Sequence, residues 1–318
     1  MPHRESRVSR VDRRGKYRTL AAHAPAPQAQ KRRPQMRLRE QALAVRVVLF
    51  MQRDAACLSG VRASARFSEV RLLYICVPAY NEAPTVGLLL WRLRSVMQEF
   101  AREYEILVYN DGSTDATAET LKSYTEVLPL TVLGGPRHEG YGRALDALVR
   151  AVSKRTRYPR RDGMLTMQAD FTDRPEDLPE LIKRFEGGAD IVVAEREVTS
   201  AWPAPARMLR RVAPYLTRPF VHLPDVKDPY GTLRVYRIAV LRDLLKHTGD
   251  APIVNSDGWC ANVEMLVRAS KYSRRIESVA FSPRYELRPR ETRVRPWRNA
   301  LALYRSARAL RALRATAP

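Results

Sequence analysis

The chain has 318 residues, 45% of them hydrophobic, which is enough for a sizeable core in one large domain or two small ones. Its net charge of +22 is concentrated at the two ends: residues 1–68 hold 16 Lys and Arg against 4 Asp and Glu, and residues 284–318 hold 10 Arg against 2 Glu. The stretch between is close to neutral, which argues against a basic nucleic-acid groove within the fold and points to tails that meet an anionic surface. No run approaches the ~18 apolar residues of a membrane span, and the longest apolar run near the start, Val47 to Met51, is too short for the apolar core of a secretory signal. The three cysteines, Cys57, Cys76 and Cys260, are widely spaced and form no metal-binding pattern, which suggests a reducing compartment.

Residues 1–35 are rich in Arg, Pro, Ala and Gln and are expected to be disordered, because they cannot bury enough surface to offset ordering entropy. Residues 36–58 have the composition of a helix with arginine on all sides. The folded part begins near Arg71. The apolar run Leu72 to Val77 predicts a first strand. Val86, Leu89, Leu90, Leu93, Met97 and Phe100 then recur at helical spacing behind Pro84. Strands follow at 105–109, 130–133, 164–167 and 190–194, and helices at 114–124, 141–153 and 175–185. Such alternation predicts an α/β fold with a mostly parallel sheet.

From Trp202 the pattern changes. Four prolines punctuate a segment of aromatic, aliphatic and arginine residues. Residues 202–222 read as two short amphipathic helices, the second starting at Pro214, with either a membrane interface or the core as partner. A strand over 231–237, helices to His247 and over 259–270, and a strand over 275–281 complete the domain. Residues 297–314 carry arginine on every face and are expected to form a loosely held tail. The expected domains are a basic extension, 1–68; a folded α/β domain, 69–296; and an arginine-rich tail, 297–318.

Two polar loops follow the first two strands. Pro78-Ala79-Tyr80-Asn81-Glu82 and Asn110-Asp111-Gly112-Ser113-Thr114-Asp115 are about 30 residues apart, and in a parallel sheet both leave carboxyl ends, where ligands bind. A nucleobase needs an aromatic or apolar face, and a ribose needs carboxylate acceptors. Tyr80, Glu82 and Asp111 supply these. No phosphate-binding glycine-rich loop is present. His138, His222 and His247 are scattered, and each is expected to be structural or on the surface.

The two loops together resemble those of the family 2 glycosyltransferases of the GT-A fold, and the resemblance runs from about Leu72 to Pro296. Within the family the chain looks most similar to the dolichyl-phosphate mannose synthase branch, on the strength of Gly140-Tyr141-Gly142-Arg143-Ala144, Met167-Gln168-Ala169-Asp170-Phe171-Thr172 with Pro175-Glu176-Asp177, Ala194-Glu195-Arg196, Asp228 to Arg237, Asn262 to Leu266, and Arg288 to Arg293. The resemblance implies a Rossmann-like three-layer sandwich. It also implies an inverting transfer of a hexose from a UDP- or GDP-sugar to a polyprenyl phosphate at the cytoplasmic face of a membrane, with a saccharide hydroxyl as the alternative acceptor and a non-catalytic binding homologue as a further one.

By the same resemblance, Pro78, Tyr80, Glu82, Asn110, Asp111, Gln168, Ala169, Asp170 and Arg196 would hold the nucleotide sugar. Asp170 and Gln168 would hold Mg²⁺ or Mn²⁺, and Arg234, Arg288 and Arg293 would meet phosphate. Asp170, Arg234 and Asp228 would be catalytic. Asn110 and Gln168 stand where the family has aspartates; the first replaces a residue that would help contact the base, and the second leaves one charge at the metal where two are usual, so weaker metal binding is expected. A phosphate acceptor is already ionised and needs no strong general base; for a hydroxyl acceptor, Asp228 and Asp257 are the candidate bases. The amphipathic segment and the basic tails would attach the protein to anionic lipid.

Overall fold

The protein is described by a computed structural model covering residues 71–100, 102–198, 202–221, 223, 226–281 and 296–315. The basic extension, Arg288, Arg293 and His222 lie outside these residues.

The alternation read from the sequence is present. β1 (Leu73–Ala79) leads to α1 (Ala83–Phe100), β2 (Tyr104–Asp111) to α2 (Thr117–Thr125), and β3 (Leu130–Gly135) to α3 (Tyr141–Arg155). β4 (Gly163–Thr166) is followed by a 3₁₀ turn (Pro175–Asp177) and α4 (Leu178–Glu186). β5 (Ile191–Arg196), α5 (Ala204–Thr217), β6 (Arg234–Arg237), α6 (Ile238–Thr248), α7 (Gly258–Ser270), β7 (Ile276–Phe281) and α8 (Pro296–Ala315) complete the order.

The strands form one seven-stranded sheet in the order β3-β2-β1-β4-β6-β5-β7. Its pairings are parallel except those of β6, which runs antiparallel between β4 and β5. Both faces are covered, which is why β1 reads as a continuous apolar run rather than an alternating one. Leu73, Ile75, Val77, Ile106, Val108 and Leu165 pack with α1, α2 and α4 on one face. Tyr74, Cys76, Leu107, Met164, Ile191 and Tyr236 pack with α3, α6 and α7 on the other.

A third cluster departs from expectation. The 297–314 pattern predicts a loosely held tail. Instead, α8 buries Leu303, Ala307 and Leu310 against Leu209 and Ala213 of α5 and Cys260, Val263 and Val267 of α7. The three buried positions recur at i, i+4 and i+7, so a narrow apolar stripe suffices although arginine surrounds it. The 202–222 segment differs too: α5 is a single helix that runs through Pro214 rather than two helices broken there. Beside the proline, Thr217 Oγ1 donates to the Ala213 carbonyl at 3.0 Å, and the Arg218 N–H reaches the Pro214 carbonyl at 2.9 Å. α5 buries Ala206, Leu209, Arg210, Ala213 and Thr217 and leaves Met208, Val212 and Tyr215 exposed.

Candidate active site

The parallel register brings the expected loops to one edge of the sheet. Ala79 lies beside Asn110, and Cys76 beside Thr166, so the loops after β1, β2 and β4 leave the sheet next to one another. The first two are laced together. The Asn81 N–H donates to Ser113 Oγ at 3.0 Å, and Asn81 Oδ1 accepts from the Thr114 N–H at 2.8 Å. The Glu82 N–H donates to Thr117 Oγ1 at 2.9 Å, and the Ala83 N–H to Asp115 Oδ2 at 3.2 Å. Asn81 sits at φ 54, a left-handed conformation that asparagine tolerates better than most residues. Asn110 turns its Oδ1 back to the Ser113 N–H at 3.2 Å, as a short polar side chain in a turn does. Glu82 is buried, and its Oε2 accepts from Thr85 Oγ1 at 3.1 Å.

Asp111 is also buried, and both of its carboxylate oxygens are used. Oδ1 accepts from the Glu139 N–H at 2.7 Å, and Oδ2 from the Gly140 N–H at 3.0 Å. Nδ1 of His138 lies 2.8 Å from the same Oδ2. The carboxylate thus clamps the loop between β3 and α3 onto the loop after β2. The backbones of the two loops meet so closely that a Cβ on Gly112, at φ +63, would come within 2.4 Å of the Arg137 carbonyl carbon. On the same loop, the His138 imidazole stacks on the Tyr80 ring, with centroids 3.9 Å apart and planes 18° from parallel. Asp257 adds a second carboxylate at the start of α3, accepting the Gly142 N–H at 3.1 Å.

The loop after β4 carries the acidic centre. Asp170 and Ala169 are buried, and Gln168 is partly exposed. Asp170 Oδ1 accepts the Thr172 N–H at 3.1 Å, and Phe171 between them sits at φ 62, a strained conformation for a bulky side chain. Sequence reasoning missed Asp173, which is buried and ion-paired with Arg196. Burial raises its carboxyl above the ordinary value, Arg196 pulls it back, and the nearby Asp170 charge raises it again. Its signal was present: a second aspartate three residues beyond Asp170.

Two expected site residues are placed differently. Arg234, read as a phosphate ligand and catalytic group, is 1% exposed. Its guanidinium donates to the Asn262 carbonyl at 2.6 Å, the Pro229 carbonyl at 2.5 Å and the Tyr236 hydroxyl at 3.1 Å. The reason is that β6 is an interior strand with both faces covered. Asp228, read as a catalytic base, is a structural knot. Its Oδ2 pairs with Arg210 and accepts the Arg196 N–H at 3.1 Å, while Oδ1 accepts the Tyr230 N–H at 3.1 Å. The Arg210 guanidinium is ringed by Trp202, Tyr230 and Trp259, 5.4, 5.1 and 5.2 Å from their centroids. Pro78 lies in β1 beside Tyr109, at the base of the edge.

A doubly covered, mostly parallel sheet with laced polar loops along one edge is the architecture of a GT-A glycosyltransferase. The profile of the family described as "Glycosyl transferase family 2" matches residues 74–245, and the chain belongs to that family. Undecaprenyl-phosphate 4-deoxy-4-formamido-L-arabinose transferase of Pseudomonas aeruginosa (strain LESB58) is 30% identical over 181 residues, 55% of this chain and 50% of that protein. The protein of the same name from Photorhabdus laumondii is 30% identical over 132 residues, 41% of this chain and 38% of that protein. This chain therefore spans half or less of the length of these curated relatives. Among solved structures, glucosyl-3-phosphoglycerate synthase from Mycobacterium tuberculosis, in complex with Mn²⁺ and uridine-diphosphate-glucose, superposes with a TM-score of 0.51 at 18% identity, covering 78% of this chain and 80% of that one. That likeness supports the fold.

Proposed function

We propose that this protein is an inverting transferase that moves a sugar, a hexose by the family resemblance, from a UDP- or GDP-sugar to a polyprenyl phosphate. The observation that carries the donor half is the lacing of the loops after β1 and β2 beside the Asp170 loop. A nucleoside with its diphosphate spans that edge, with base and ribose at 78–82 and 110–115 and the phosphates toward Gln168, Ala169 and Asp170. The acceptor half is supported by the names of the curated relatives.

Asp170 and Gln168 fit a divalent cation of the Mg²⁺ or Mn²⁺ kind, which binds through one or two carboxylates and completes its shell with water and substrate phosphate. Asp173, paired with Arg196, adds a second buried carboxylate close to Asp170. Among the described residues no group of three or more His, Cys, Asp or Glu could hold a metal by itself, and the donor diphosphate would supply further oxygens. When bound, the cation neutralises charge that develops on the departing diphosphate. Arg196 holds Asp173 in place beside Asp170. Arg288 and Arg293 are assigned to the phosphates. In the reaction the bond from the anomeric carbon to the donor phosphate breaks, the nucleoside diphosphate leaves with the electron pair, and an ionised acceptor oxygen forms the new bond from the opposite side.

Membrane attachment belongs to the same reading. α5 exposes Met208, Val212 and Tyr215, and α8 exposes Trp297, Leu301 and Tyr304. Residues 202–221 and 296–315 contain nine arginines and no Asp or Glu, a composition suited to the cytoplasmic face of an anionic bilayer. No helix among the described residues is long and apolar enough to cross a membrane.

The test is to supply radiolabelled UDP- and GDP-sugars with membranes. Label extractable into organic solvent, lost with Asp170→Ala, is the expected result. Label appearing only in the aqueous polysaccharide fraction would replace the lipid phosphate with a saccharide acceptor. Turnover unchanged in Asp170→Ala would refute the metal assignment.

A further inference from the structure

The donor reading gives the nucleobase a face at Tyr80 and the ribose an acceptor at Asp111, but both are already engaged by the loop between β3 and α3. One face of the Tyr80 ring is covered by the His138 imidazole, nearly parallel at 3.9 Å. Both oxygens of Asp111 accept from that loop, two backbone amides and the His138 ring. Asp111 is buried, so its remaining lone pairs are poorly placed to reach into solvent for a base. His138 itself keeps 49% of its side chain exposed.

We infer that His138 is the stacking platform for the donor's nucleobase, so that base recognition has moved outward by one ring from Tyr80. Three observations make this more than a surface histidine. The ring is held edge-on: Nδ1 faces a carboxylate oxygen, which can only accept, so that nitrogen carries the proton and the plane of the ring is fixed. The ring is backed by a second aromatic, which resists tilting when a base presses on it. The loop that carries it is pinned at close quarters, since Arg137 and His138 lie against Gly112, where no side chain fits. A preset aromatic plane at the edge of the sheet, half open to solvent, is what a purine or pyrimidine face requires. Stacking tolerates either kind of base, because every base has a π-face.

The inference rests on the nucleotide-sugar reading, and the experiment separates the two. Binding of UDP, GDP and inorganic pyrophosphate, each with Mg²⁺, is measured by titration calorimetry on the full chain and on its His138→Ala and His138→Phe variants. Loss of the platform is expected to weaken the nucleotide that the wild type binds by about tenfold or more, the scale of one aromatic–base stack. Phenylalanine, which keeps the stack without the Asp111 contact, restores affinity to within a few fold, and pyrophosphate, which has no base, binds all three proteins alike. His138→Ala binding nucleotide as well as the wild type overturns the inference, and tighter binding overturns it in favour of an imidazole that obstructs the site. An equal loss for nucleotide and pyrophosphate overturns it in favour of a purely structural loop. If the wild type binds neither UDP nor GDP, the donor reading fails, and the inference fails with it.

Discussion

The Arg210–Asp228 pair offers the sharpest test of the fold around the site. Arg210 and Asp228 side chains are 5% and 10% exposed. Asp228→Ala removes the carboxylate from a guanidinium that stays enclosed by Trp202, Tyr230 and Trp259, and it strips the Arg196 and Tyr230 amides of their acceptor. Breaking a buried pair by removing one partner costs about 3–5 kcal/mol, most of it from the charge left behind. Each lost amide bond adds about 1 kcal/mol, and the ring contacts, worth ~0.5–2 kcal/mol, persist. At roughly 2–4 °C per kcal/mol for a domain of this size, the melting temperature falls by about 10 °C or more. Arg210→Met keeps the apolar body of the side chain and removes the cation. The double variant Asp228→Ala with Arg210→Met is therefore expected to be more stable than Asp228→Ala alone by about 1–3 kcal/mol. Thermal and urea unfolding of the four proteins closes the cycle. Strict additivity of the two single changes would refute the coupling, and full stability with lost turnover in Asp228→Ala would return Asp228 to the chemistry.

The remaining expectations concern the last helix and alkaline pH. Leu303→Ala, at a position 1% exposed in the α5–α7–α8 cluster, should cost about 2–5 kcal/mol in urea unfolding, whereas a loosely held tail would leave stability unchanged. Burial raises the Cys260 thiol from 9.0 to about 11 and, chiefly through desolvation, the Tyr74 phenol from 10.0 to about 12. Above pH 9 the unfolded chain releases these protons first, so the folded state binds more protons and stability falls as pH rises from about 9 to 12. Denaturant midpoints that stay level across pH 8 to 11 would contradict this.

Much of the architecture was legible because it is local. Helical spacing from Val86 to Phe100 and the apolar runs of β1 and β2 follow from burial on both faces of a sheet, and the two polar loops mark the edge that carries the candidate site. The points that escaped are set by partners distant in sequence. Arg234 looks like a phosphate ligand in its Asp-Pro-Tyr-Gly context, and only the insertion of β6 between β4 and β5 shows that its neighbours are carbonyls. Asp228 looks like a base until Arg210, 18 residues earlier, arrives on α5. His138 lies just outside the Gly140 to Ala144 motif, and its stacking on Tyr80 depends on a loop crossing two strands away. The buried stripe of α8 was present in the sequence, but the arginines around it obscured it.

The antiparallel β6 has a consequence for synthesis. β4 and β5 are not paired with each other; β4 pairs with β6 over Arg234 to Arg237, and β5 over Arg234 to Tyr236. A nascent chain that has emerged only as far as Thr217 therefore carries β1 to β5 in two unjoined pieces, with the edges of β4 and β5 both open. Open edges recruit strands from other chains. Completion of β6 at Arg237 closes the edge of β4 and one edge of β5, the other edge of β5 waits for β7, and a truncation ending before Arg234 leaves all three open.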